Sequence, residues 1–205
     1  MRLGIFGGAF NPPHVGHLVC AQEAHHQLGL DSVVWVPVGE APHREIEADP
    51  GAELRVRMCE SAVAGDERFE VSRIEVDRPG PSYTVDTLRA LRAGGDELFL
   101  ILGADQAAAL PRWREPEDVL RLATVAVGER EELRREKVRA ELQPLQGDDR
   151  AVFFDMPRID ISSTAIRSRV REGRPIRYLV PDEVANLIEA QNLYGAAAPV
   201  GGRTD

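Results

Sequence analysis

Apolar and polar positions divide the chain into short apolar runs and longer segments with helical spacing. The apolar runs predict buried strands, and they fall at residues 3–6, 32–38, 69–72, 97–103, 124–128 and 151–154. The remaining patterned segments predict helices, and they fall at residues 16–28, 53–64, 83–92, 117–122, 163–171 and 182–192. Because strands alternate with helices, we expect an α/β fold with βαβ units and a parallel sheet.

The order of these elements indicates one domain over residues 1–194, with a small helical part at residues 162–194. A dense charge run at residues 129–141 predicts the solvated face of a helix. The small, Gly-rich residues of 195–205 predict a disordered tail. Ligands of parallel α/β sheets bind outside the carboxyl ends of the strands, so the loops that follow strands are the places to search for chemistry.

Charge and composition exclude several classes of protein. The net charge of -9 argues against general nucleic-acid binding. No apolar run reaches membrane-spanning length and the N-terminus lacks the pattern of a secretory signal, so we expect no membrane contact and a cytoplasmic location. The two cysteines, Cys20 and Cys59, are far apart and predict buried thiols rather than nucleophiles or zinc ligands.

The basic residues are unusual, because all but one of the 25 are arginine and Lys137 is the only lysine. P-loop enzymes need a lysine after the glycine loop, and Schiff-base enzymes need a lysine in the site, so neither class fits this chain. Any phosphate site must therefore use arginine, histidine and backbone N–H groups.

The segment richest in candidate chemistry follows the first predicted strand and opens the first helix. It reads Gly7-Gly8-Ala9-Phe10-Asn11-Pro12-Pro13-His14-Val15-Gly16-His17-Leu18. Two glycines allow a sharp turn and a close approach to a ligand, and free N–H groups at a helix start attract phosphate. His14 and His17 are three residues apart, so both lie on one face, where imidazole N–H groups can bond phosphate and a protonated ring can offset charge.

Three other interpretations of this segment remain open. A dinucleotide-binding loop is disfavoured because the G-x-G-x-x-G pattern is missing. A metal site at His14 and His17 lacks the H-E-x-x-H spacing and a third ligand. One of the two histidines can also simply pack against the core or cap the helix.

A second candidate phosphate site lies at the start of the helix predicted at residues 163–171. It reads Ile161-Ser162-Ser163-Thr164-Ala165-Ile166-Arg167. Taken alone, the Ser-Ser-Thr run is an ordinary helix N-cap. Three hydroxyls, free N–H groups and an arginine one turn later also suit an anion.

The middle of the chain offers candidates for a second substrate. Pro81-Ser82-Tyr83-Thr84-Val85-Asp86-Thr87-Leu88 supplies hydroxyls at a helix start, where a simple cap with Tyr83 as packing is the alternative. Gly103-Ala104-Asp105 follows the most apolar strand, and Leu110-Pro111-Arg112-Trp113 comes soon after. Trp113 is either a core residue or an aromatic face for a flat, electron-poor ring.

These motifs resemble a known family. The H-x-G-H form of residues 14–17 and the I-S-S-T-x-x-R form of residues 161–167 are similar to the two signatures of the nucleotidyltransferase superfamily. Residues 41–44, 82–88, 103–105 and 110–113 resemble the P-P-H-[KR], S-Y-T-x-x-T-L, G-x-D and L-P-x-W elements of its bacterial nicotinate-mononucleotide adenylyltransferase branch. This chain departs from the branch in having Ala9, Asn11 and Ala41 where threonine, aspartate and proline are usual.

The resemblance implies a Rossmann-like, doubly wound α/β fold and an enzyme that transfers the adenylyl group of ATP to nicotinate mononucleotide. It implies that ATP is bound by Gly7, Gly8, Ala9, Phe10, His14, His17, Gly103, Asp105, Ile161, Ser162, Ser163, Thr164 and Arg167. It implies that the mononucleotide is bound by Gly8, Arg44, Tyr83, Thr84 and Trp113. His14, His17 and Arg167 would be catalytic, and Mg²⁺ would arrive with ATP rather than on a protein metal site.

The expected reaction is a direct in-line attack of the mononucleotide phosphate on the α-phosphorus of ATP, without a covalent enzyme intermediate. Such catalysis rests on positioning and charge stabilisation. The alternatives are an adenylyltransferase for another phosphate acceptor, such as phosphopantetheine, and a nucleotide-binding regulator without turnover. The sequence leaves open whether the protein is a homo-oligomer.

Overall fold

The computed structural model describes residues 1–42, 45–92, 94–129, 131–145 and 148–195. The predicted tail therefore lies almost wholly outside the described residues, as does Arg44. No helix in the described ranges has the length and apolar character needed to cross a membrane.

The described strands form one sheet in which every neighbouring pair is parallel. They are β1 (Arg2–Gly8), β2 (Ser32–Pro37), β3 (Phe69–Val71), β4 (Glu97–Gly103), β5 (Ala123–Gly128) and β6 (Ala151–Phe154). Their order is β3-β2-β1-β4-β5-β6, which is the order of doubly wound nucleotide-binding sheets. The predicted α/β, Rossmann-like fold is confirmed.

The helices occupy the intervals between the strands and the C-terminal region. They are α1 (Val15–Leu28), α2 (Ala52–Val63), α3 (Thr84–Arg92), α4 (Ala104–Ala109), α5 (Pro116–Leu122), α6 (Glu132–Leu142), α7 (Ser163–Arg171) and α8 (Asp182–Ala190). Short 3-10 segments lie at Leu110–Arg112, Gln143–Leu145, Asp148–Arg150 and Leu193–Gly195. Helix α6 lies in the predicted charge run and exposes most of its charges, while Val138 and Leu142 are buried.

Apolar side chains cover both faces of the sheet, as the continuous apolar strands predict. On one face α3, α4, α5 and α6 pack against β1, β2, β4 and β5. On the other face α1 and α2 enclose an aromatic cluster that includes Phe6, Phe10 and Trp35. The two cysteines are free thiols on this second face, and burial raises the pKa of Cys20 to about 12, which agrees with their prediction as unreactive residues.

The C-terminal helices α7 and α8 form a third apolar cluster with Met58 of α2. At the end of this part, the Tyr194 hydroxyl donates a 2.6 Å hydrogen bond to Oδ1 of Asn11. Asn11 is itself buried and lies in the loop after β1. The C-terminal helices are therefore docked directly onto the loop that carries the first motif.

Candidate active site

A cavity of about 390 Å³ opens at the carboxyl ends of β1, β2 and β4. In the strand order, β1 and β4 are the neighbours between which the connection reverses direction. Such a switch point leaves a crevice between two loops that leave the sheet on opposite faces. The cavity is lined by Gly7, Gly8 and Ala9 from the first motif and by Tyr83, Thr84 and Trp113 from the middle motifs.

The position of the Phe10 ring explains Gly8 of the first loop. Phe10 has a left-handed backbone with φ 48 and buries its ring against Phe6 and Trp35, at centroid distances of 5.5 and 4.9 Å. A Cβ on Gly8 would lie 3.1 Å from the Phe10 ring, so a side chain at that position would crowd it. Phe10 was predicted as an ATP-binding residue, but its side chain belongs to the core and only its backbone remains available to a ligand.

His14 and His17 stack on each other at the start of α1, with ring centroids 3.7 Å apart. The backbone N–H of His14 donates to Nδ1 of His17 at 3.1 Å. A neutral His17 must therefore carry its proton on Nε2, which leaves that nitrogen as a donor. A Cβ on Gly16 would lie 3.1 Å from two atoms of the His14 ring, which explains the glycine between the histidines.

Burial keeps both imidazoles neutral in the protein without ligand. It lowers the pKa of His14 from 6.5 to about 4. The pKa of His17 is also lowered well below 6.5, mainly by burial near Phe10 and additionally by the neighbouring His14. The sequence suggested both N–H donors and a protonated ring, and the lowered pKa values favour two neutral rings whose N–H groups can donate to phosphate.

The second motif meets the first loop through two hydrogen bonds. Ser162 caps α7 by accepting from the Ala165 N–H at 3.2 Å. The Ser163 hydroxyl donates to the Pro12 carbonyl at 2.8 Å, and Nη1 of Arg167 donates to the Asn11 carbonyl at 2.9 Å. The two motifs, about 145 residues apart in sequence, are adjacent in space.

Arg167 is almost completely buried, and the second terminal nitrogen of its guanidinium pairs with a residue that no motif indicated. Its Nη2 donates to Oε2 of Glu47 at 2.6 Å and to the Thr164 hydroxyl at 3.3 Å. The Glu47 carboxylate is 60% exposed, and Arg171 lies 3.9 Å from its other oxygen. Within the described ranges, Nε of Arg167 and Nδ1 of His14 are buried without a partner, which is rare in folded proteins.

The middle motif at Ser82–Thr84 forms one wall of the cavity. The buried Ser82 hydroxyl accepts from the Gly39 N–H at 3.1 Å, which fixes this segment to the loop after β2. Tyr83 and Thr84 then face the cavity at the start of α3. Arg114, which the motifs did not indicate, places its guanidinium 4.5 Å from the centre of the Tyr83 ring.

Trp113 packs against the main core and also lines the cavity, so its position is compatible with either of its two predicted roles. Glu75 is a further residue that the sequence did not reveal, since it lies outside any motif. Burial raises the pKa of Glu75, whose Oε1 accepts a 2.6 Å hydrogen bond from Thr87. A carboxyl group thus lies in the wall of a cavity that was predicted to receive an anionic substrate.

Gly103 and Asp105 lie at the end of β4 and in the first turn of α4. The sequence predicted a loop here, but Gly103 is the N-cap of a helix that was not predicted. Asp105 is highly exposed and forms a 2.9 Å ion pair with Arg134 of α6. A Cβ on Gly103 would meet nothing within 4 Å, so open space surrounds this position.

Among the described residues, no group of three or more His, Cys, Asp and Glu side chains has an arrangement that could hold a metal ion. His14 and His17 in particular lack a third ligand, and one of the four imidazole nitrogens accepts a backbone N–H.

Comparison with known proteins gives one family for most of the chain. Residues 5–169 match the model of the family described as cytidylyltransferase-like. The probable nicotinate-nucleotide adenylyltransferase of Roseiflexus sp. (strain RS-1) is 46% identical over 194 residues, which is 94% of this chain and 97% of that protein. A protein of the same name from Thermus thermophilus is 44% identical over 196 residues, which is 95% of this chain and all of that protein.

Solved structures agree with the fold. The nicotinic acid mononucleotide adenylyltransferase of Plasmodium falciparum complexed with NaAD superposes with a TM-score of 0.74. The alignment covers 96% of this chain and 98% of that chain at 14% identity. A second structure of the same protein, complexed with APC, gives a TM-score of 0.71.

Proposed function

We propose that this chain, which belongs to the cytidylyltransferase-like family and within it to the nicotinate-nucleotide adenylyltransferases, transfers the adenylyl group of ATP to nicotinate mononucleotide. The products are nicotinate adenine dinucleotide and pyrophosphate. One observation carries the proposal on the structural side. Two motifs suited to phosphate meet beside a cavity at the switch point of the sheet, through Ser163 to Pro12 and Arg167 to Asn11.

The cavity is the site of the mononucleotide in this proposal. Trp113 offers an aromatic face to the pyridine ring, and Tyr83 and Thr84 offer polar groups in the same cavity. Arg114 over the Tyr83 ring supplies positive charge for an acceptor that is itself an anion. Arg44, which lies outside the described residues, stays a predicted contact to this substrate.

The triphosphate of ATP occupies the corner between α1 and α7. The Nε2–H of His17 and the His14 ring donate hydrogen bonds to its oxygens, and the Ser163 backbone N–H, Thr164 and Arg167 bind the β- and γ-phosphates. Asp105 is assigned to the nucleoside part of ATP by the family resemblance alone. ATP is used as its magnesium complex, in which the ion is held by phosphate oxygens and water.

An oxygen of the mononucleotide phosphate attacks the α-phosphorus in line. A new P–O bond forms as the bond from the α-phosphorus to the bridging oxygen breaks, and pyrophosphate leaves with the electron pair. Because a phosphate dianion is already a nucleophile, no protein side chain needs to be adenylylated. The protein contributes orientation and fixed donors for the charge that develops on the α-phosphoryl oxygens.

Binding of the triphosphate replaces Glu47 on Arg167. The carboxylate of Glu47 is largely exposed, so water can solvate it once it leaves Arg167. A phosphate group offers several anionic oxygens to the same guanidinium, so the exchange favours the ligand. The hydrogen bond from Arg167 to the Asn11 carbonyl remains and keeps the two motifs together.

The direct test is a pyrophosphate-release assay with purified protein and Mg-ATP. Nicotinate mononucleotide, nicotinamide mononucleotide and phosphopantetheine are supplied in separate reactions at equal concentration. We expect turnover with nicotinate mononucleotide to exceed turnover with the other two acceptors. Preferred use of phosphopantetheine would refute the proposed acceptor, and binding of ATP without turnover on any acceptor would refute the proposed enzyme activity.

A further inference from the structure

The guanidinium of Arg55 is fully buried beneath the mouth of the cavity, and no motif indicated it. Arg55 lies on α2, which the sequence predicted only as an amphipathic helix. Burying an arginine costs free energy unless every N–H group finds an acceptor, so hydrogen-bond partners must compensate for the burial of Arg55. Those partners are three backbone carbonyls and one carboxylate.

The three carbonyls belong to the two loops that form the cavity. Nη1 donates to the Val38 carbonyl at 2.6 Å and to the Ala9 carbonyl at 3.3 Å. Nη2 donates to the Gly39 carbonyl at 3.2 Å, and Nε donates to Oδ1 of Asp49 at 2.9 Å. A planar guanidinium with donors in a fixed fork therefore joins the loop after β1 to the loop after β2.

These contacts set the direction of peptide groups in the loops that line the cavity. In a trans peptide the C=O of one residue and the N–H of the next point in opposite directions. The Val38 carbonyl points to Arg55, and the Gly39 N–H correspondingly points to the Ser82 hydroxyl. Ser82 begins the wall of the cavity formed by Ser82–Thr84, which is called the acceptor wall below. The Ala9 carbonyl also points to Arg55, so the direction of the Phe10 N–H in the first loop is fixed in the same way.

Close packing transmits the position of this loop to the acceptor wall. A Cβ on Gly39 would lie 2.2 Å from the Glu75 carbonyl oxygen and 3.2 Å from the Ser82 hydroxyl. The loop after β2 thus has no space in which to shift independently of Glu75 and Ser82. Both of these residues line the cavity, as do Ala9 and Val38.

We infer that Arg55 is a positioning residue for the adenylyl transfer. It fixes the position of the first loop relative to the acceptor wall on the other side of the cavity. The inference rests on the proposed function for its kinetic consequence. The structural basis is the set of four contacts made by one buried guanidinium. Arg55 touches neither substrate, because its whole side chain is enclosed by protein.

The test is Arg55→Lys, which keeps the charge but removes the fork. An ammonium cannot reach three carbonyls and a carboxylate in the same plane, so the two loops lose their fixed separation. Misplacement of reacting groups by about 1 Å costs about 10²-fold in rate, and we expect a loss of kcat/KM of about that size. Arg57→Lys, on the exposed side of the same helix, is the matched control and should retain full activity.

Two measurements separate positioning from general destabilisation. The first is kcat/KM per folded molecule, with the folded fraction taken from circular dichroism; if Arg55→Lys is partly unfolded, trimethylamine N-oxide restores the folded state. The second is amide hydrogen exchange, which does not depend on activity and should increase at residues 8–10 and 38–40 but not in β4. We expect both changes in the variant. Wild-type kcat/KM per folded molecule, or unchanged exchange in those two loops, would overturn the inference.

Failure of the proposed function has a different signature. In that case wild-type protein itself releases no pyrophosphate with nicotinate mononucleotide, while the exchange difference between wild type and Arg55→Lys persists. An active wild type with an equally active Arg55→Lys variant contradicts only the role of Arg55.

Discussion

Mild acid is expected to destabilise this protein through its stacked histidines. The pKa of His14 is lowered from 6.5 to about 4, and that of His17 is lowered in the same direction. Between those two pH values the unfolded chain binds protons on these imidazoles that the folded chain does not bind. Stability from the neutral pair is therefore fully present above pH 6.5 and is lost as the pH falls toward 4.

The size of the effect follows from the pKa of His14. At about pH 5 an imidazole in the unfolded chain is almost fully protonated, whereas about one in ten folded molecules is protonated at His14. The difference corresponds to a loss of about 2 kcal/mol of unfolding free energy between about pH 7.5 and pH 5 from this residue alone. His17 adds to the loss, which is large beside a typical total stability of about 5–15 kcal/mol.

Urea unfolding of wild type and His14→Asn at about pH 7.5 and about pH 5 measures this contribution. The variant lacks one titrating group, so its loss of stability on acidification should be smaller than that of wild type by about 2 kcal/mol. His26→Asn removes an imidazole from the exposed surface of α1 and controls for the substitution itself. Equal losses in wild type and His14→Asn would show that the stacked pair is not held neutral by burial.

Three further predictions concern catalysis. His17→Ala should lower kcat by about 10²–10³-fold because a preorganised donor is lost, and a wild-type kcat would exclude His17 from the mechanism. Trp113→Ala should raise KM for nicotinate mononucleotide more than KM for ATP in steady-state assays, since stacking concerns only the acceptor; equal changes in both would assign Trp113 to the core. Gly16→Ala should lower kcat about tenfold, because the new Cβ would lie 3.1 Å from the His14 ring. An unchanged kcat would mean that the ring can move aside without loss.

The strands of the sheet could be predicted from the sequence because each of them is a short apolar run. Strand β4 was predicted with its observed bounds, since one apolar run is bordered by a charged residue and a glycine. Helix α4 was missed because six residues, mostly alanine, carry no amphipathic period that distinguishes a short helix from a loop. Asp105 was therefore expected in a loop, whereas it lies in the first turn of α4 and pairs with Arg134.

The motifs predicted which segments form the site, but they did not predict the hydrogen bonds that hold these segments together. The contact from Arg167 to Asn11 spans 156 positions, and the contact from Arg55 to Ala9 spans 46. Both end on backbone carbonyls, and a carbonyl acceptor leaves no mark in the residue types of a sequence. The neutral state of the histidines was likewise hidden, because it depends on the rings of Phe10 and Trp35 that the fold brings beside His17.

Because the two histidines are neutral, this acidic protein has to bind a polyanion largely through uncharged hydrogen-bond donors. A protein of net charge -9 gains little from distant charge, so its phosphate corner depends on local donors. Two neutral imidazoles and the N–H groups at the starts of α1 and α7 are dipolar donors that require no counterion in the free protein. Arg167 is the one full positive charge at this corner among the described motif residues, and Glu47 compensates it. In the proposed function, the ion pair with Glu47 compensates the buried charge of Arg167, and complementarity to ATP increases when the triphosphate takes the place of that carboxylate.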